Sequence, residues 1–162
     1  MQNLKELSKF DVEIYVDGSC RGNPGVGGYA FCFYIKDNEE WFLFGRGNQE
    51  NATNNQMELL SIIKSLEEIE EKELKFKTIT VCSDSAYVVN GFLENWIDKW
   101  EKNNWKTNKG LVVLNQDYWK KLKQLVKNNK VNFKKVGRKC EKISMVSKEA
   151  KYIAGLLKKT IN

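Results

Sequence analysis

The chain has 162 residues and a net charge of +6, from 27 Lys and Arg against 21 Asp and Glu, and it contains no histidine. This length predicts a single domain spanning 1–162, with a short N-terminal extension at 1–11. No apolar run is long enough for a membrane span and residues 1–10 lack a signal-peptide core, which argues against a membrane or exported protein. Because histidine is absent, catalysis would have to use carboxylates, lysines, hydroxyls or water on a metal ion.

The cysteine pattern indicates free thiols. Cys20, Cys32, Cys82 and Cys140 form no closely spaced pair, and without histidine they cannot build a Cys/His zinc site. Free thiols are typical of the cytoplasm or another reducing intracellular compartment, where we expect this protein to lie.

Positive charge is concentrated in one segment of the chain. Residues 99–139 hold 13 Lys and Arg against 2 Asp and Glu, whereas residues 1–98 hold 9 against 17. Such a cationic segment favours binding to a polyanion, because binding releases counterions. A solubilising lysine-rich surface is the alternative interpretation.

The N-terminal third predicts an antiparallel three-stranded meander. Branched and aromatic residues lead up to Asp17 and predict a first strand that ends there, with Gly18 beginning a turn. A glycine-rich loop at 22–28 leads into a second strand at 29–35, and a third strand follows at 41–44. Because the loop joins two strands rather than a strand and a helix, we reject a nucleotide-binding loop.

A capping box predicts the first helix. Thr53 and Gln56 have the spacing that satisfies the free N–H groups at a helix start. Apolar residues then recur at helical spacing to about Lys72. Glu58 is expected in the first turn, at the edge of this apolar stripe, where a half-buried carboxylate requires a functional reason.

The second half of the chain predicts two more strands, at 78–83 and 131–136, and four helices. The helices are expected over 87–92, around 96–100, over 115–128 and over 146–157. The order predicts an α/β fold with a mixed five-stranded sheet, a three-strand antiparallel meander plus two parallel strands, flanked by helices on both faces. The first and fourth strands can then lie side by side and parallel, bringing Asp17 and Asp84 to one sheet edge below Glu58.

Three carboxylates at one place predict a metal site. Asp17, Glu58 and Asp84 would repel one another unless cations neutralised them, and no basic residue is next to any of them in the sequence. Ligands that are all oxygen favour Mg²⁺, with Mn²⁺ also possible.

Three motifs resemble, in order and spacing, those of type 1 ribonuclease H. They are YVDGSCRGNPGVGGY at 15–29, TNNQMEL at 53–59 and SDSAYV at 83–88. A run of tryptophans and lysines is similar to the family's basic protrusion, which we place at 96–114. The resemblance implies a ribonuclease H-like fold and an endoribonuclease that cleaves the RNA strand of RNA/DNA hybrids. It also implies two divalent ions that activate water and stabilise the leaving 3′ oxygen.

The resemblance also assigns residue roles. Asp17, Glu58 and Asp84 would be catalytic and metal-binding, with Asp17 bridging the ions. Trp96 and Trp119 are expected in the core instead of the interface, since each has apolar neighbours at helical spacing. The residues that would contact the hybrid are Asn23, Thr53, Asn54, Asn55, Ser85, Lys99, Trp100, Trp105 and Lys106. We expect the protein to act as a monomer, and a larger assembly stays open.

The C-terminal motif departs from the family, which has a loop histidine and then an aspartate that supplies a fourth metal-site carboxylate. Aligning Val146 and Ala150 with the family's apolar helix positions puts Ser147 at the place of that aspartate, and Lys139 near the missing histidine. Glu149 is two residues on, about 200° around the helix, so it should point elsewhere. A shifted register in which Glu149 substitutes stays open.

Three functions therefore stay open. The first is an active ribonuclease H that is slow or works better with Mn²⁺. The second is a catalytically weakened or inactive module that binds hybrid or structured RNA. A related nuclease acting on DNA is disfavoured, because the hybrid-reading loops are present.

Overall fold

A mixed five-stranded sheet forms the centre of the fold. The computed structural model describes residues 4–161, so residues 1–3 of the predicted N-terminal extension lie outside the described part. The elements are a 3-10 helix (Leu4–Lys9), β1 (Asp11–Gly22), β2 (Gly25–Ile35), β3 (Glu40–Ala52), α1 (Asn54–Glu71), β4 (Thr78–Ser83), α2 (Ala86–Leu93), α3 (Trp96–Lys102), α4 (Gln116–Asn129), β5 (Val131–Lys135) and α5 (Glu141–Ile161). The strands lie in the order β3-β2-β1-β4-β5. β1, β2 and β3 pair antiparallel, and β4 pairs parallel with both β1 and β5. The predicted meander with two parallel strands is thus confirmed.

Helices cover both faces of the sheet, as predicted. α1 packs on β1 and β2 and against α4, and this face encloses the larger core cluster, which includes Ile14, Phe33 and Trp119. α5 packs on the opposite face over a smaller cluster that includes Tyr15 and Cys32. The two clusters take alternate residues of the strands, because successive side chains point to opposite faces of a sheet. Each helix in the described part of the chain is too short or too polar to span a bilayer.

β1 is longer than the sequence predicted. It continues past Asp17 and keeps pairing with β2 as far as Gly22, which has a φ of +91°. The turn to β2 therefore lies at Asn23 and Pro24. The prediction of a turn at Asp17 and Gly18 was wrong, because Gly18 is required by close packing rather than by a turn.

β2 and β3 also extend beyond their predicted bounds. Their added residues pair with each other, including Gly25 with Ala52 and Gly27 with Gln49. The prediction of a loop at 22–28 was therefore largely wrong, and β3 continues through 45–52, past its predicted end at 44. The polar and glycine-rich composition of these stretches lacks the apolar alternation by which a strand is recognised.

Candidate active site

Parallel pairing of β1 and β4 brings the first two carboxylates together. The register pairs Tyr15 of β1 with Cys82 of β4. Asp17 and Asp84 each follow two residues later in the sequence. Asp17 is 6% exposed, although it lies within β1. Asp84 follows the last residue of β4 and lies at the same edge of the sheet.

α1 carries the third carboxylate, and its start is fixed by the predicted capping box. The Gln56 N–H donates to Thr53 Oγ1 at 3.2 Å, and the Thr53 N–H donates to Gln56 Oε1 at 3.1 Å. Glu58 therefore falls in the second turn, not in the first as predicted, because α1 begins at Asn54. The main-chain nitrogen of Glu58 lies close to Gly18 of β1.

Gly18 allows α1 to approach β1 this closely. A Cβ at Gly18 would overlap the main-chain carbon of Met57 and would lie 2.5 Å from the Glu58 nitrogen. Real Cβ atoms do not approach other atoms so closely, so only glycine fits at this position. The residue after Asp17 is therefore what brings Glu58 next to Asp17.

The three carboxylates form one compact cluster. Asp17, Glu58 and Asp84 each offer an oxygen, and these oxygens lie within 4.8 Å of one another. This is the one group of acidic, cysteine or histidine residues with such spacing in the described part of the chain. Glu58 Oε2 is buried and has no hydrogen-bond partner. A buried acceptor without a donor is costly, and a cation between the three side chains would satisfy it.

Electrostatics support the same interpretation. Burial raises the pKa of Glu58 well above its ordinary value, and the nearby Asp17 and Asp84 charges raise it further, while a Gly18 N–H hydrogen bond opposes them. Burial and the charge of Asp17 also raise the pKa of Asp84, against the lowering effect of Arg138 and Lys135. These carboxylates are thus held close together at an electrostatic cost, which a divalent cation would offset. The donor set, which is all carboxylate oxygen, fits a hard divalent ion.

A cleft of about 920 Å³ opens in front of the carboxylates. Asn54, Asn55 and Ser85, which the sequence assigned to hybrid contacts, line this cleft. Asn23 and Thr53 do not line it, but both lie next to it. Asn23 Oδ1 accepts a hydrogen bond of 3.2 Å from the Asn54 N–H, and Thr53 caps α1.

Four basic residues of the cleft were missed by sequence reasoning. Lys135, Arg138, Lys148 and Lys151 line it, whereas Lys139, expected near the missing histidine, is not part of its lining. The Arg138 Nε lies 4.0 Å from Asp84 Oδ2. The helical spacing of Lys148 and Lys151, three residues apart on a helix that starts beside the cleft, was the available signal.

The structure places Ser147 and Glu149 in different environments. Ser147 lines the cleft in front of the three carboxylates. Glu149 lies outside the cleft lining, where its Oε2 is 2.9 Å from Arg46 Nη1 of β3. The alignment that puts Ser147 at the cleft is therefore favoured over the shifted register.

A second cleft, of about 370 Å³, lies on the protrusion. Its lining includes the predicted contacts Lys99, Trp100 and Lys106, together with Trp96. Trp105 is not part of this lining. Its ring packs 6.0 Å from that of Trp100 and lies under the Lys120 Nζ at 4.7 Å.

The expectation that Trp96 and Trp119 both belong to the core is half correct. Trp119 is fully buried. Trp96 is only partly buried, and its indole N–H donates a 2.7 Å hydrogen bond to Glu94 Oε2 at the surface. Helical spacing alone did not distinguish the two tryptophans, because Trp96 opens a short surface helix of seven residues.

The sheet order and the carboxylate edge together define a ribonuclease H-like protein. Solved structures share this fold. One of them is LC9-RNase H1, a type 1 RNase H with the type 2 active-site motif. It aligns with this chain at a TM-score of 0.77 and 24% identity, and the alignment covers 91% of this chain and 73% of that one. The structure of LC11-RNase H1 in complex with RNA/DNA hybrid aligns at a TM-score of 0.72 and 18% identity, over 90% of this chain and 98% of that one.

Sequence comparison identifies the family to which the chain belongs. The RNase H family model matches residues 9–138. Ribonuclease H of Thermoanaerobacter sp. (strain X514) is 44% identical over 125 residues, covering 77% of this chain and 76% of the relative. Ribonuclease H of Treponema denticola is 42% identical over 125 residues, covering 71% and 78%. The chain therefore belongs to the ribonuclease H family of enzymes.

Proposed function

We propose that the protein is an endoribonuclease that hydrolyses the RNA strand of RNA/DNA hybrids with two Mg²⁺ ions, for which Mn²⁺ can substitute. The observation that carries this proposal is the convergence of Asp17, Glu58 and Asp84, one oxygen of each within 4.8 Å of the others. Relatives named ribonuclease H, and a solved relative in complex with RNA/DNA hybrid, support the choice of substrate.

In this proposal Asp17, Glu58 and Asp84 would hold the divalent ions, and Asp17 would contribute to holding both. When bound, the ions supply charge that activates water and stabilises the leaving 3′ oxygen of the scissile phosphate. The unpartnered Glu58 Oε2 and the raised pKa of Glu58 both indicate a group arranged for a cation rather than for the metal-free state.

Other residues of the cleft position the substrate. Asn54 and Asn55, at the start of α1, present amides that can donate and accept hydrogen bonds at the minor groove of the hybrid. That groove is wide and shallow, and it displays 2′-hydroxyls on the RNA strand alone. Ser85 lies beside Asp84, where it can contact the RNA backbone.

The protrusion would hold the DNA strand. Trp100 offers an aromatic surface for sugars, and the exposed Lys99 and Lys106 offer charge for phosphates in the same cleft. The ring of Trp105 packs against that of Trp100, with centroids 6.0 Å apart.

A second candidate function is a module that binds hybrid or structured RNA without cutting it. One observation favours it: among the described residues no fourth carboxylate joins the cluster, since Ser147 lines the cleft and Glu149 pairs with Arg46. A metal position with fewer oxygen ligands binds Mg²⁺ less tightly.

One assay separates the two candidates. Purified protein is incubated with an RNA/DNA hybrid labelled on the RNA strand, first with Mg²⁺ and then with Mn²⁺. The same hybrid is given to an Asp17→Asn variant, and an all-DNA duplex serves as the substrate control. We expect metal-dependent cutting of the RNA strand that the variant loses. Tight binding of the hybrid without cutting by either protein would support the binding module.

We also propose that the protein works in a reducing compartment such as the cytoplasm. Cys20, Cys32, Cys82 and Cys140 are all free thiols in the structure. A monomeric state stays a prediction, testable by the molar mass in solution.

A further inference from the structure

One face of α5 carries a row of basic residues. Four lysines and one glycine lie along one side of the helix, because they are spaced by three, four, three and one residues: Lys148, Lys151, Gly155, Lys158 and Lys159. Lys148 and Lys151 line the catalytic cleft. Gly155, Lys158 and Lys159 line an adjacent cleft of about 420 Å³. The row thus leads away from the catalytic carboxylates.

Arg21 of β1 joins this row from the sheet. It lies four residues after Asp17 on the same strand, so both side chains point to the same face. The Arg21 Nη2 donates a 3.3 Å hydrogen bond to the main-chain oxygen of Lys151. Its guanidinium lies across Gly155, where a Cβ would be 2.9 Å from Nη2. Because Gly155 has no side chain, Arg21 can lie on the helix between the two halves of the row.

These five cations have no acidic partner. In the described part of the chain, no salt bridge includes Arg21, Lys148, Lys151, Lys158 or Lys159. Glu149, which lies on the same helix, pairs with Arg46 instead. Unpaired cations at this spacing repel one another, and a polyanion would relieve that repulsion.

The length of the row fits a nucleic-acid strand. Ten residues of α-helix separate Lys148 from Lys158, which corresponds to about 15 Å. One strand of a B-form duplex carries a phosphate about every 3.4 Å of axis, so several phosphates can lie along this distance.

We propose that Arg21, Lys148, Lys151, Lys158 and Lys159 form a phosphate track that begins at the catalytic cleft and binds the backbone of the hybrid beyond it. This inference rests on the proposed function, because it requires a nucleic acid in that cleft. The track extends the bound length of the substrate on the side of the β1–β2 turn and α5, whereas the protrusion acts through α3.

The test uses binding by Asp17→Asn protein, which is expected not to cut its ligand. A short hybrid is compared with two longer ones, each extended by about ten base pairs, ~34 Å of axis, on one side. The slope of log affinity against log salt is measured for each. We expect one extension, and not the other, to make the slope steeper. The variant Arg21→Gln/Lys158→Gln/Lys159→Gln should lose that increase in slope. The slope should become less steep by about two to three units, since each lost phosphate contact changes the slope by about 0.9.

A matched control replaces three lysines near the other ends of the strands, away from Asp17 and Arg21. Lys36, Lys75 and Lys77 are exposed, and Lys36→Gln/Lys75→Gln/Lys77→Gln should keep the increase. If neither extension steepens the slope, or if the Arg21 variant keeps the increase, the track is wrong. Cutting of the short hybrid by the unaltered enzyme tests the proposed function separately, so the two failures are distinguishable. Thermal unfolding of both triple variants checks that each is folded.

Discussion

Arg46 of β3 holds Glu149 of α5 in an ion pair with Nη1 and Oε2 2.9 Å apart. The pair turns Glu149 toward the sheet edge at β3, and Ser147, two residues earlier, lines the catalytic cleft. At Ser147 the cleft-lining side of α5 therefore carries a hydroxyl where the family resemblance implies an aspartate. This difference determines how the enzyme is expected to respond to its metal.

Replacing Ser147 with aspartate should increase activity with Mg²⁺. The added carboxylate would join the cluster of Asp17, Glu58 and Asp84 and hold a divalent ion more tightly. We expect a rise of about tenfold in cleavage rate at low Mg²⁺, in the range by which groups around metal sites alter affinity or activity. Initial rates over a Mg²⁺ titration measure the effect.

The control for this variant is Glu149→Gln, which removes the neighbouring carboxylate. Since Glu149 pairs with Arg46 outside the cleft, this change should leave the cleavage rate unaltered. A large loss of activity in Glu149→Gln, with no gain in Ser147→Asp, would show that Glu149 is the fourth carboxylate.

The stability of the metal-free protein should fall as pH rises, in part because of Glu58. The folded protein raises the pKa of Glu58 above its unfolded value, chiefly by burial, so the folded state binds more protons than the unfolded state between the two values. The contribution of Glu58 to stability is therefore most favourable below the ordinary pKa of glutamate, and it decreases until pH passes the raised value. Glu58→Gln should flatten this dependence and stabilise the metal-free protein at neutral pH, by about 1 kcal/mol.

Urea unfolding between pH 4 and pH 8, with a chelator present, measures this effect. Adding Mg²⁺ should stabilise the unaltered protein and have less effect on Glu58→Gln. Because the pKa of Asp84 is also raised, the stability of Glu58→Gln should still fall with pH, but less steeply than that of the unaltered protein. Equal pH profiles for the two proteins would contradict the role given to Glu58.

Gly18→Ala should disrupt the site without changing a charged residue. The new Cβ would overlap the Met57 main chain and push α1 away from β1, moving Glu58 from Asp17. We expect a loss of about 1–3 kcal/mol in unfolding free energy, as for other overpacked positions, and little cleavage activity. Chemical denaturation measures the stability. Gly137→Ala is the control for stability, because a Cβ there meets nothing within 4 Å.

Neutralising the protrusion should reduce the salt dependence of hybrid binding. Lys99 and Lys106 lie in one cleft with Trp100, and each is expected to hold a phosphate by charge. Lys99→Gln/Lys106→Gln should reduce the slope of log affinity against log salt by about 1.8, at about 0.9 for each contact. Fluorescence anisotropy over a salt series provides the measurement, with Lys75→Gln/Lys77→Gln as the matched control. An unchanged slope would reject the contact.

The sequence predicted the features that depend on short-range chemistry. The capping box of Thr53 and Gln56 is present, and the parallel pairing of β1 and β4 brings Asp17 to Asp84 as expected. What it missed depends on packing between distant segments. Gly18 gave the signal of a turn, yet it is a contact with α1, and no local pattern distinguishes the two uses of glycine.

The positions of surface side chains were the other feature that the sequence did not predict. The basic residues of α5 lie outside the cationic segment at 99–139, so a sum of charges along the chain did not single them out. The helix instead places Lys148 and Lys151 together beside the carboxylates. Trp96 was expected in the core on its helical spacing, but it is only partly buried, and its indole N–H donates to Glu94 at the surface.

The central claim is that Asp17, Glu58 and Asp84 together hold divalent ions. Anomalous diffraction from crystals soaked in Mn²⁺ tests it most directly. We predict an anomalous peak within about 2–2.3 Å of oxygens from Asp17 and at least one of the other two carboxylates, close to the lengths known for hard divalent ions. Saturating Mn²⁺ that binds elsewhere, or leaves all three carboxylates without an ion, would contradict the claim.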